Sequence, residues 1–288
     1  MDENGFRSDR MDTATKPIFV GVWSFGPDRQ LPVCAALNLE SIMRRIRCAE
    51  IWGGVHNCDE DILTSGITAS LYSAAADGGR GGDIYYLSVC SSDLLTRIAI
   101  ADVVGHGEAV AITSQWMYHA LAERMNCLDG DGILSHLNHL SDEYGVDALT
   151  TAVVIGYNTA NSQLYFAYAG HPPLLVRHQG TGRWGRVNFV NPSCPGNLPF
   201  GVDVETLYDQ ERVPLSGGDR LFLYTDGLIE APDRHGRLFG LDPLLAILEE
   251  TGDRSPPEIK SAVLERLMKH TGGPLAHDDV TFMAIKIL

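Results

Sequence analysis

The chain has 288 residues, of which 44% are hydrophobic and 20% are charged, and its formal net charge is −15. This length and apolar content suffice for one large domain or two small ones with a substantial core. The acidic balance and the lack of a basic tail or stripe argue against nucleic acid and anionic membranes as partners. An acidic protein can also concentrate divalent cations, although an acidic surface more often serves only solvation.

Cysteine usage and the N-terminal sequence predict a soluble, cytoplasmic protein. The six cysteines are widely separated and show neither a CxxC pair nor the Cys–His spacing of a zinc site, so we expect reduced thiols. The first residues, MDENGFRSDRMDTATKP, are polar and mixed in charge, unlike a signal peptide. No apolar run reaches the roughly 20 residues that a membrane helix needs.

The first part of the chain has few strong secondary-structure signals. A short strand is expected at Phe19–Phe25, and apolar residues at helical spacing predict a short amphipathic helix at Leu37–Ile51. Glycines and acidic residues then interrupt the pattern, so we place a domain boundary near residue 66. The segment 1–66 is predicted to be either a regulatory segment or a lead whose helix packs on the following domain, 67–288.

After residue 66 the pattern changes to strand-like runs and two pairs of helices. Strands are predicted at Ile67–Ala75, Asp83–Cys90, Leu94–Val104, Leu149–Gly156, Gln163–Tyr168, Leu174–Arg177, Arg186–Val190, Glu205–Val213, Arg220–Tyr224 and Val280–Leu288. Helices are predicted at Glu108–Met125, Gly132–Glu143, Leu241–Glu250 and Pro257–His270. Short links between neighbouring strands favour antiparallel pairing, with the helix pairs on the outer faces of two packed sheets. This order predicts an α+β fold.

Aspartates stand at strand ends or in glycine-rich turns at four places in the chain. They are Asp83 after Gly81-Gly82, Asp102 before Gly105, Asp226 before Gly227, and the pair Asp278-Asp279 before the last strand. Several converging carboxylates suit Mg²⁺ or Mn²⁺ better than zinc, and without a cation they would repel one another. A single aspartate in such a place more often only forms a turn, so the metal-site hypothesis depends on their joint occurrence.

Seven motifs follow one another from about residue 67 to the C-terminus. They are GGDIYY, ADVVGHG, LTTAVVIGYN, YAGHPPLL, LPFGV, GDRLFLYTDGLIEA and HDDVTFMAIKI. In this order they resemble the PPM-type metal-dependent serine/threonine protein phosphatases, which are protein phosphatase 2C-like, in the bacterial branch of stage II sporulation protein E and the sigma-factor-regulator phosphatases. The resemblance implies a four-layer helix–sheet–sheet–helix sandwich of two mostly antiparallel sheets flanked by helical hairpins.

The resemblance also implies the roles of individual residues in a site for two Mn²⁺ or Mg²⁺ ions. Asp102 would bridge the two metals, and the backbone carbonyl of Val103 would complete one site. Asp83 would bind one metal directly or through water, while Asp226 and Asp278 would hold the other. The catalytic set implied by the family is therefore Asp83, Asp102, Asp226 and Asp278.

Other residues of the same motifs are placed around these ligands. Asp279 occupies a position that the family fills with Asn or Asp, and with Gly82 it is expected to support the ligands. The histidine that eukaryotic-type relatives use as general acid is replaced here by Val104. His106 is either a proton donor or a solvent-facing loop residue, so the acid for the leaving group stays unassigned.

The implied reaction is phosphomonoester hydrolysis by a water that bridges the two metals, without a phosphoenzyme intermediate. The branch implies a phosphoserine or phosphothreonine on a regulatory protein, such as an anti-sigma-factor antagonist, as substrate. The alternatives are a small-molecule phosphomonoesterase of the same chemistry and a non-catalytic scaffold that binds phosphorylated partners. Sensor domains commonly control this branch, so a further hypothesis is a homodimer or a regulatory partner that contacts the N-terminal segment.

Overall fold

The computed structural model describes residues 43–105, 110–124, 129–144, 149–189 and 198–288. The strands are β1 (Arg44–Arg45), β2 (Ile51–His56), β3 (Cys58–Leu63), β4 (Ile67–Ala74), β5 (Arg80–Val89), β6 (Leu95–Val103), β7 (Thr150–Asn158), β8 (Gln163–Ala169), β9 (Leu175–Arg177), β10 (Trp184–Arg186), β11 (Glu211–Pro214), β12 (Arg220–Tyr224) and β13 (Val280–Ile287). The helices are α1 (Ala111–Arg124), α2 (Gly130–Tyr144), α3 (Asp226–Ile229), α4 (Leu241–Thr251) and α5 (Pro256–Thr271). In this part of the chain, no helix is long and apolar enough to cross a membrane.

The strands form two sheets. Sheet A has the order β1-β3-β4-β13-β12-β9-β10, and sheet B has the order β11-β8-β7-β6-β5-β2. The pairs between these strands are antiparallel except β1 with β3, which is parallel. The last strand, β13, lies in the middle of sheet A, between β4 and β12.

The buried side chains separate into three layers of core. Successive side chains of β5 point into different layers. Tyr85 and Leu87 face sheet A, while Ile84 and Tyr86 pack towards α1 and α2. The third layer lies between sheet A and the helices α4 and α5, where Phe282 is central. Two sheets covered on their outer faces by helix pairs confirm the predicted four-layer α+β sandwich.

The helix predicted at Leu37–Ile51 is wrong for the residues that the structure describes. Residues 43–51 form β1, a turn and the start of β2, and Ala49 in that turn has a positive φ of 62°. The apolar spacing misled the prediction, because Ile46 is buried in the core between the sheets rather than on a helix face. The strand predicted at Phe19–Phe25 lies outside the described residues.

The boundary predicted near residue 66 falls in the link between β3 and β4. These two strands pair with each other, and the backbone N–H of Thr64 donates to the carbonyl of Ile67 at 2.9 Å. β1 and β3 belong to sheet A, and β2 pairs with β5 at the edge of sheet B. Residues 44–63 therefore contribute strands to both sheets of the sandwich.

The strand predicted at Glu205–Val213 is shorter in the structure, where β11 begins at Glu211. Residues just before β11 contact the helical layer instead of β8. Tyr208 packs in the core layer of α1 and α2, and the Oε1 of Gln210 accepts a hydrogen bond from the backbone N–H of Gly130 at 2.7 Å.

The strand predicted at Arg186–Val190 begins earlier, because β10 is Trp184–Arg186. The indole Nε1 of Trp184 donates to the carbonyl of Leu248 on α4 at 2.9 Å, and its backbone N–H donates to Glu249 at 2.8 Å. These contacts fix β10 to the helical layer that covers sheet A.

Candidate metal centre

Asp83 and Asp102 lie directly opposite each other at one end of sheet B. They are partners in the β5–β6 ladder, and Asp102 is in turn opposite Thr151 on β7. Side chains of paired antiparallel residues lie on the same face, with Cβ atoms about 4.5–5.5 Å apart. The register therefore places a row of two carboxylates and a threonine hydroxyl across three neighbouring strands.

Sheet A brings its own aspartates to the same place. Asp226 is the first residue of α3, immediately after β12, and Asp278 lies just before β13. The end of β12 and the start of β13 are adjacent, because the two strands are antiparallel and Tyr224 pairs with Phe282. The Asp226 carboxylate is close enough to raise the pKa of Asp102, so the two sheets meet at this cluster.

Asp279 is a structural anchor beside the cluster. It is buried, and its two carboxylate oxygens accept hydrogen bonds from the backbone N–H groups of Ala76 (2.7 Å) and Gly82. This carboxylate thus fixes the end of β4 and the start of β5 relative to β13. A carboxylate that already accepts hydrogen bonds from two backbone N–H groups fits the predicted role of supporting the metal ligands.

The glycines that precede Asp83 at the start of β5 are required by close packing. A Cβ at residue 81 would collide with the carboxylate of Asp279, and a Cβ at residue 82 would collide with the carbonyl oxygen of Val103. Val103, whose carbonyl the family pattern assigns to a metal, is therefore in contact with the Gly82 backbone. Any side chain at residue 82 would displace that carbonyl.

The carboxylates of Asp83 and Asp102 carry raised pKa values. Burial raises the pKa of Asp83 well above its usual range. Hydrogen bonds from threonines lower this pKa, and the charges of Asp279 and Asp278 raise it further. Burial, followed by the charges of Asp83, Asp226 and Asp278, raises the pKa of Asp102 to about 9. The cluster cannot ionise fully by itself, and a bound cation would remove this penalty.

The donor set fits a hard divalent cation. The Oδ1 atom of Asp83 is buried and has no hydrogen-bond partner, which leaves a carboxylate oxygen available as a ligand. Within the residues that the structure describes, no three Asp, Glu, His or Cys side chains form a finished metal cage. Mg²⁺ typically uses only one or two carboxylates and keeps several waters, so such a cage is not needed.

His106, which the sequence analysis left as either a proton donor or a solvent-facing loop residue, lies outside the described residues. Val104, which replaces the general acid of eukaryotic-type relatives, is 55% exposed beside the cluster and has no proton to donate. A histidine of the YAGHPPLL motif, His171, contacts Thr151 beside the cluster. His171 is buried, and its Nδ1 lies 3.0 Å from the hydroxyl of Thr151. Burial lowers the pKa of His171 to about 3, so it is neutral at physiological pH.

Two threonines of the site were missed in the sequence. Thr225 Oγ1 donates to Asp83 Oδ2 at 2.9 Å, and Thr151 lies beside Asp102. Both stand in quoted motifs, YTDG and LTTAVV, but threonine is common in strands and signals no chemistry alone. Only the strand register, which the motifs do not give, brings these hydroxyls to the carboxylates.

Comparisons with known proteins identify the family of the chain. The model of the family described as Stage II sporulation protein E (SpoIIE) matches residues 92–288, a range that includes Asp102, Asp226 and Asp278 and begins just after Asp83. The chain is 29% identical over 212 residues to phosphoserine phosphatase RsbU of Bacillus subtilis, covering 71% of this chain and 59% of RsbU. It thus spans less than two thirds of the length of that relative.

Solved structures show the same fold. The structure of the RsbU and RsbW domains of Rv1364c from Mycobacterium tuberculosis superposes with a TM-score of 0.65 at 24% identity, covering 78% of this chain and 61% of that one. RsbX in complex with magnesium superposes with a TM-score of 0.60 at 16% identity, covering 80% of this chain and 100% of that one. With the family match over residues 92–288, these likenesses lead to one conclusion: the chain belongs to the Stage II sporulation protein E family.

Proposed function

We propose that this protein is a metal-dependent protein phosphatase that hydrolyses phosphoserine or phosphothreonine. The observation that carries the proposal is the meeting of Asp83 and Asp102 from sheet B with Asp226 from sheet A, where burial and mutual repulsion raise carboxyl pKa values. The printed name of the relative RsbU, phosphoserine phosphatase, supports the reaction class.

We assign the metal ligands as the family pattern suggests. Asp102 and the Val103 carbonyl would help to hold two Mn²⁺ or Mg²⁺ ions, Asp83 would bind one of them, and Asp226 and Asp278 would hold the other. When bound, such ions lower the pKa of water and neutralise charge on a phosphoryl group. The magnesium named in the RsbX complex supports this choice of metal.

The residues of the site then act by position and charge. Asp102 loses its proton when cations bind, because its raised pKa comes from burial and neighbouring carboxylates. Thr225 donates to one oxygen of Asp83 and leaves the other, Oδ1, free for a ligand. The neutral His171 keeps the Thr151 hydroxyl in a fixed orientation. No side chain has to form a covalent bond to phosphorus.

The first test is hydrolysis of p-nitrophenyl phosphate with Mn²⁺, with Mg²⁺ and with EDTA. Asp102→Asn and Asp226→Asn should each lower metal-dependent turnover by at least about 100-fold, because each removes a ligand charge from the site. Asp93→Asn is the matched control, since Asp93 is exposed in the turn at the other end of the β5–β6 hairpin. A folded wild type without turnover under either metal, and without metal binding by calorimetry, would refute the proposal.

The substrate we propose is a phosphorylated regulatory protein of the anti-sigma-factor-antagonist type. A phosphoserine peptide and a sugar phosphate, assayed side by side, distinguish this substrate from a small phosphomonoester. Faster turnover of the sugar phosphate would favour a small-molecule phosphatase. Stoichiometric binding of the phosphopeptide without turnover would favour a signalling scaffold.

We also propose that residues 1–42 mediate a homodimer contact or bind a regulatory partner in the cytoplasm. This segment is followed in the sequence by β1, the edge strand of sheet A. A conformational change in the segment could therefore be transmitted to the sandwich through β1. The free thiols Cys48, Cys58 and Cys90 fit a reducing compartment. Deleting residues 1–42 keeps β1–β3 intact, and unchanged activity and oligomeric state after the deletion would refute this role.

A further inference from the structure

A rigid hairpin follows the metal-site helix α3. Residues 231–239 turn back on themselves, with a bridge between Pro232 and Leu238, and Gly236 takes the positive φ of 78° that the turn needs. The backbone N–H of Phe239 donates to the carbonyl of Ala231 at 2.8 Å and closes the base. Hereafter this segment is the 231–239 hairpin.

One half-buried carboxylate organises the tip of the hairpin. Asp233 accepts hydrogen bonds from the backbone N–H groups of His235 (2.7 Å) and Arg237 (2.9 Å), and from the Arg237 Nε at 2.8 Å. His270 at the end of α5 donates from Nε2 to the carbonyls of Ala231 (3.2 Å) and Arg237 (3.0 Å). The hairpin is therefore held in one conformation, which reduces the entropy lost when a partner binds.

The surface of the hairpin is basic although the whole chain carries a net charge of −15. A concavity of about 380 Å³ between the hairpin and the end of α5 is lined by Arg234, Arg237, Lys269 and two histidines, and by Asp233, which forms an ion pair with Arg237. Two apolar residues next to Arg237 and Lys269 in the sequence are exposed, Leu238 by 57% and Met268 by 49%. Arginine beside exposed aliphatic side chains is a composition typical of protein-binding surfaces.

This surface lies within reach of the metal centre. The backbone N–H of Gly240 donates to the carbonyl of Ile229 at 2.7 Å, so the base of the hairpin is attached to the end of α3. Arg234 follows Asp226 by eight positions, which limits their separation to about 27 Å even in an extended chain. A standard interface buries about 800 Å² on each partner, so one protein can cover both places.

We propose that the 231–239 hairpin, with Lys269, binds an acidic segment of the protein substrate while its phosphorylated residue occupies the metal centre. Like charges elsewhere on the chain would repel such a segment, whereas this surface offers cations in a fixed arrangement. The inference rests on the proposed phosphatase function and specifies its substrate class: a phosphoprotein with acidic residues within about eight positions, or about 27 Å, of the phosphorylated side chain.

The test compares two phosphoserine peptides that differ only in their flanking residues, one with three glutamates and one with three glutamines. Exposed ion pairs contribute about 0.2–1 kcal/mol each, so three of them should lower KM for the acidic peptide by about tenfold. The preference should appear in KM rather than in kcat, because the contacts are distant from the reacting group. It should decrease at high salt, because the contacts are exposed.

The charge-reversal variant Arg234→Glu/Lys269→Glu should abolish this preference, with p-nitrophenyl phosphate turnover unchanged. The control variant Arg186→Glu/Arg212→Glu makes the same change in net charge on exposed residues of β10 and β11 and should retain the preference. Equal KM for both peptides in the wild type, or a preference that survives Arg234→Glu/Lys269→Glu, would overturn the inference. Absence of p-nitrophenyl phosphate turnover would instead count against the phosphatase itself.

Discussion

Thr225 at the end of sheet A donates a hydrogen bond of 2.9 Å to the Oδ2 atom of Asp83 in sheet B. The backbone N–H of Thr281 donates to the same threonine hydroxyl at 3.0 Å, so the oxygen accepts one bond and its proton points to Asp83. Both residues are buried. One hydroxyl group thus joins the two sheets at the metal centre and orients a carboxylate.

Replacing this hydroxyl should affect both stability and metal binding. Thr225→Val keeps the shape but leaves Asp83 Oδ2 and the Thr281 N–H without their partner, which should lower the free energy of unfolding by about 1–3 kcal/mol. The Mn²⁺ concentration for half-maximal activity should rise at the same time. Thr225→Ser is the matched control, and urea unfolding with Mn²⁺ titration measures both effects. Wild-type behaviour of Thr225→Val would contradict the role of this bond.

The raised pKa values predict an unusual pH dependence for the metal-free protein. Asp102 has a folded-state pKa of about 9, above its ordinary value of about 3.9, so the folded state binds the extra proton. The stability that this proton supplies is complete below about pH 4 and is lost progressively as the pH rises towards 9. In EDTA, the free energy of unfolding should therefore fall between about pH 5 and pH 8.5.

Asp102→Asn should make this slope shallower, because asparagine does not titrate, whereas Asp83, whose pKa is also raised, still does. At pH 8 in EDTA the variant should be more stable than the wild type by at least about 1 kcal/mol. Saturating Mn²⁺ should reverse the order, since cations stabilise the ionised carboxylates of the wild type. If the free energy of unfolding in EDTA depends on pH in the same way in the wild type and in the variant, the carboxylates are not coupled.

Asp279→Asn tests the anchoring carboxylate. Asparagine offers one acceptor oxygen and one NH₂ group, so it can serve the backbone N–H of Ala76 or that of Gly82, but not both. The unpaired buried N–H should cost about 1–3 kcal/mol of unfolding free energy. Because Asp279 holds the strands rather than a metal, the Mn²⁺ requirement should change less than in Asp226→Asn. A variant that keeps its stability but loses Mn²⁺ binding would instead make Asp279 a ligand.

Gly227→Ala tests the packing of α3 on the Asp278-Asp279 turn. A Cβ at residue 227 would collide with the carbonyl oxygen of Asp279, so the helix or the turn must shift. We expect a loss of about 1–3 kcal/mol in unfolding free energy and a larger loss of metal-dependent activity. Gly273→Ala, where a Cβ meets nothing within 4 Å, is the control and should behave as wild type.

The elements that sequence patterns predicted are those with a clear apolar period. β5 and β6 alternate between two buried faces, and α4 and α5 carry apolar stripes, so each was predicted close to its observed bounds. β2 and β3 were missed for physical reasons. β2 contains two adjacent glycines, and half of the residues of β3 are acidic, because both strands lie towards the edges of their sheets.

The aspartates of the candidate site could be picked out because motifs surround them, but their mutual arrangement could not. The opposition of Asp83 and Asp102 depends on the register of the β5–β6 ladder, which a shift by one residue would invert. The same holds for Thr225, whose contact with Asp83 spans 142 positions of sequence. Tertiary packing between the two sheets, rather than any local propensity, determines these contacts.

The central place of β13 in sheet A has a consequence for the order of assembly during synthesis. Residues 280–287 separate β4 from β12, so neither neighbour has its full set of backbone hydrogen bonds until this strand has left the ribosome. Asp278, which lies just before β13, is synthesised at the same late stage. A nascent chain can complete sheet B earlier, but sheet A and the metal centre must form after translation of the last strand. The proposed activity therefore requires that β13 has joined sheet A.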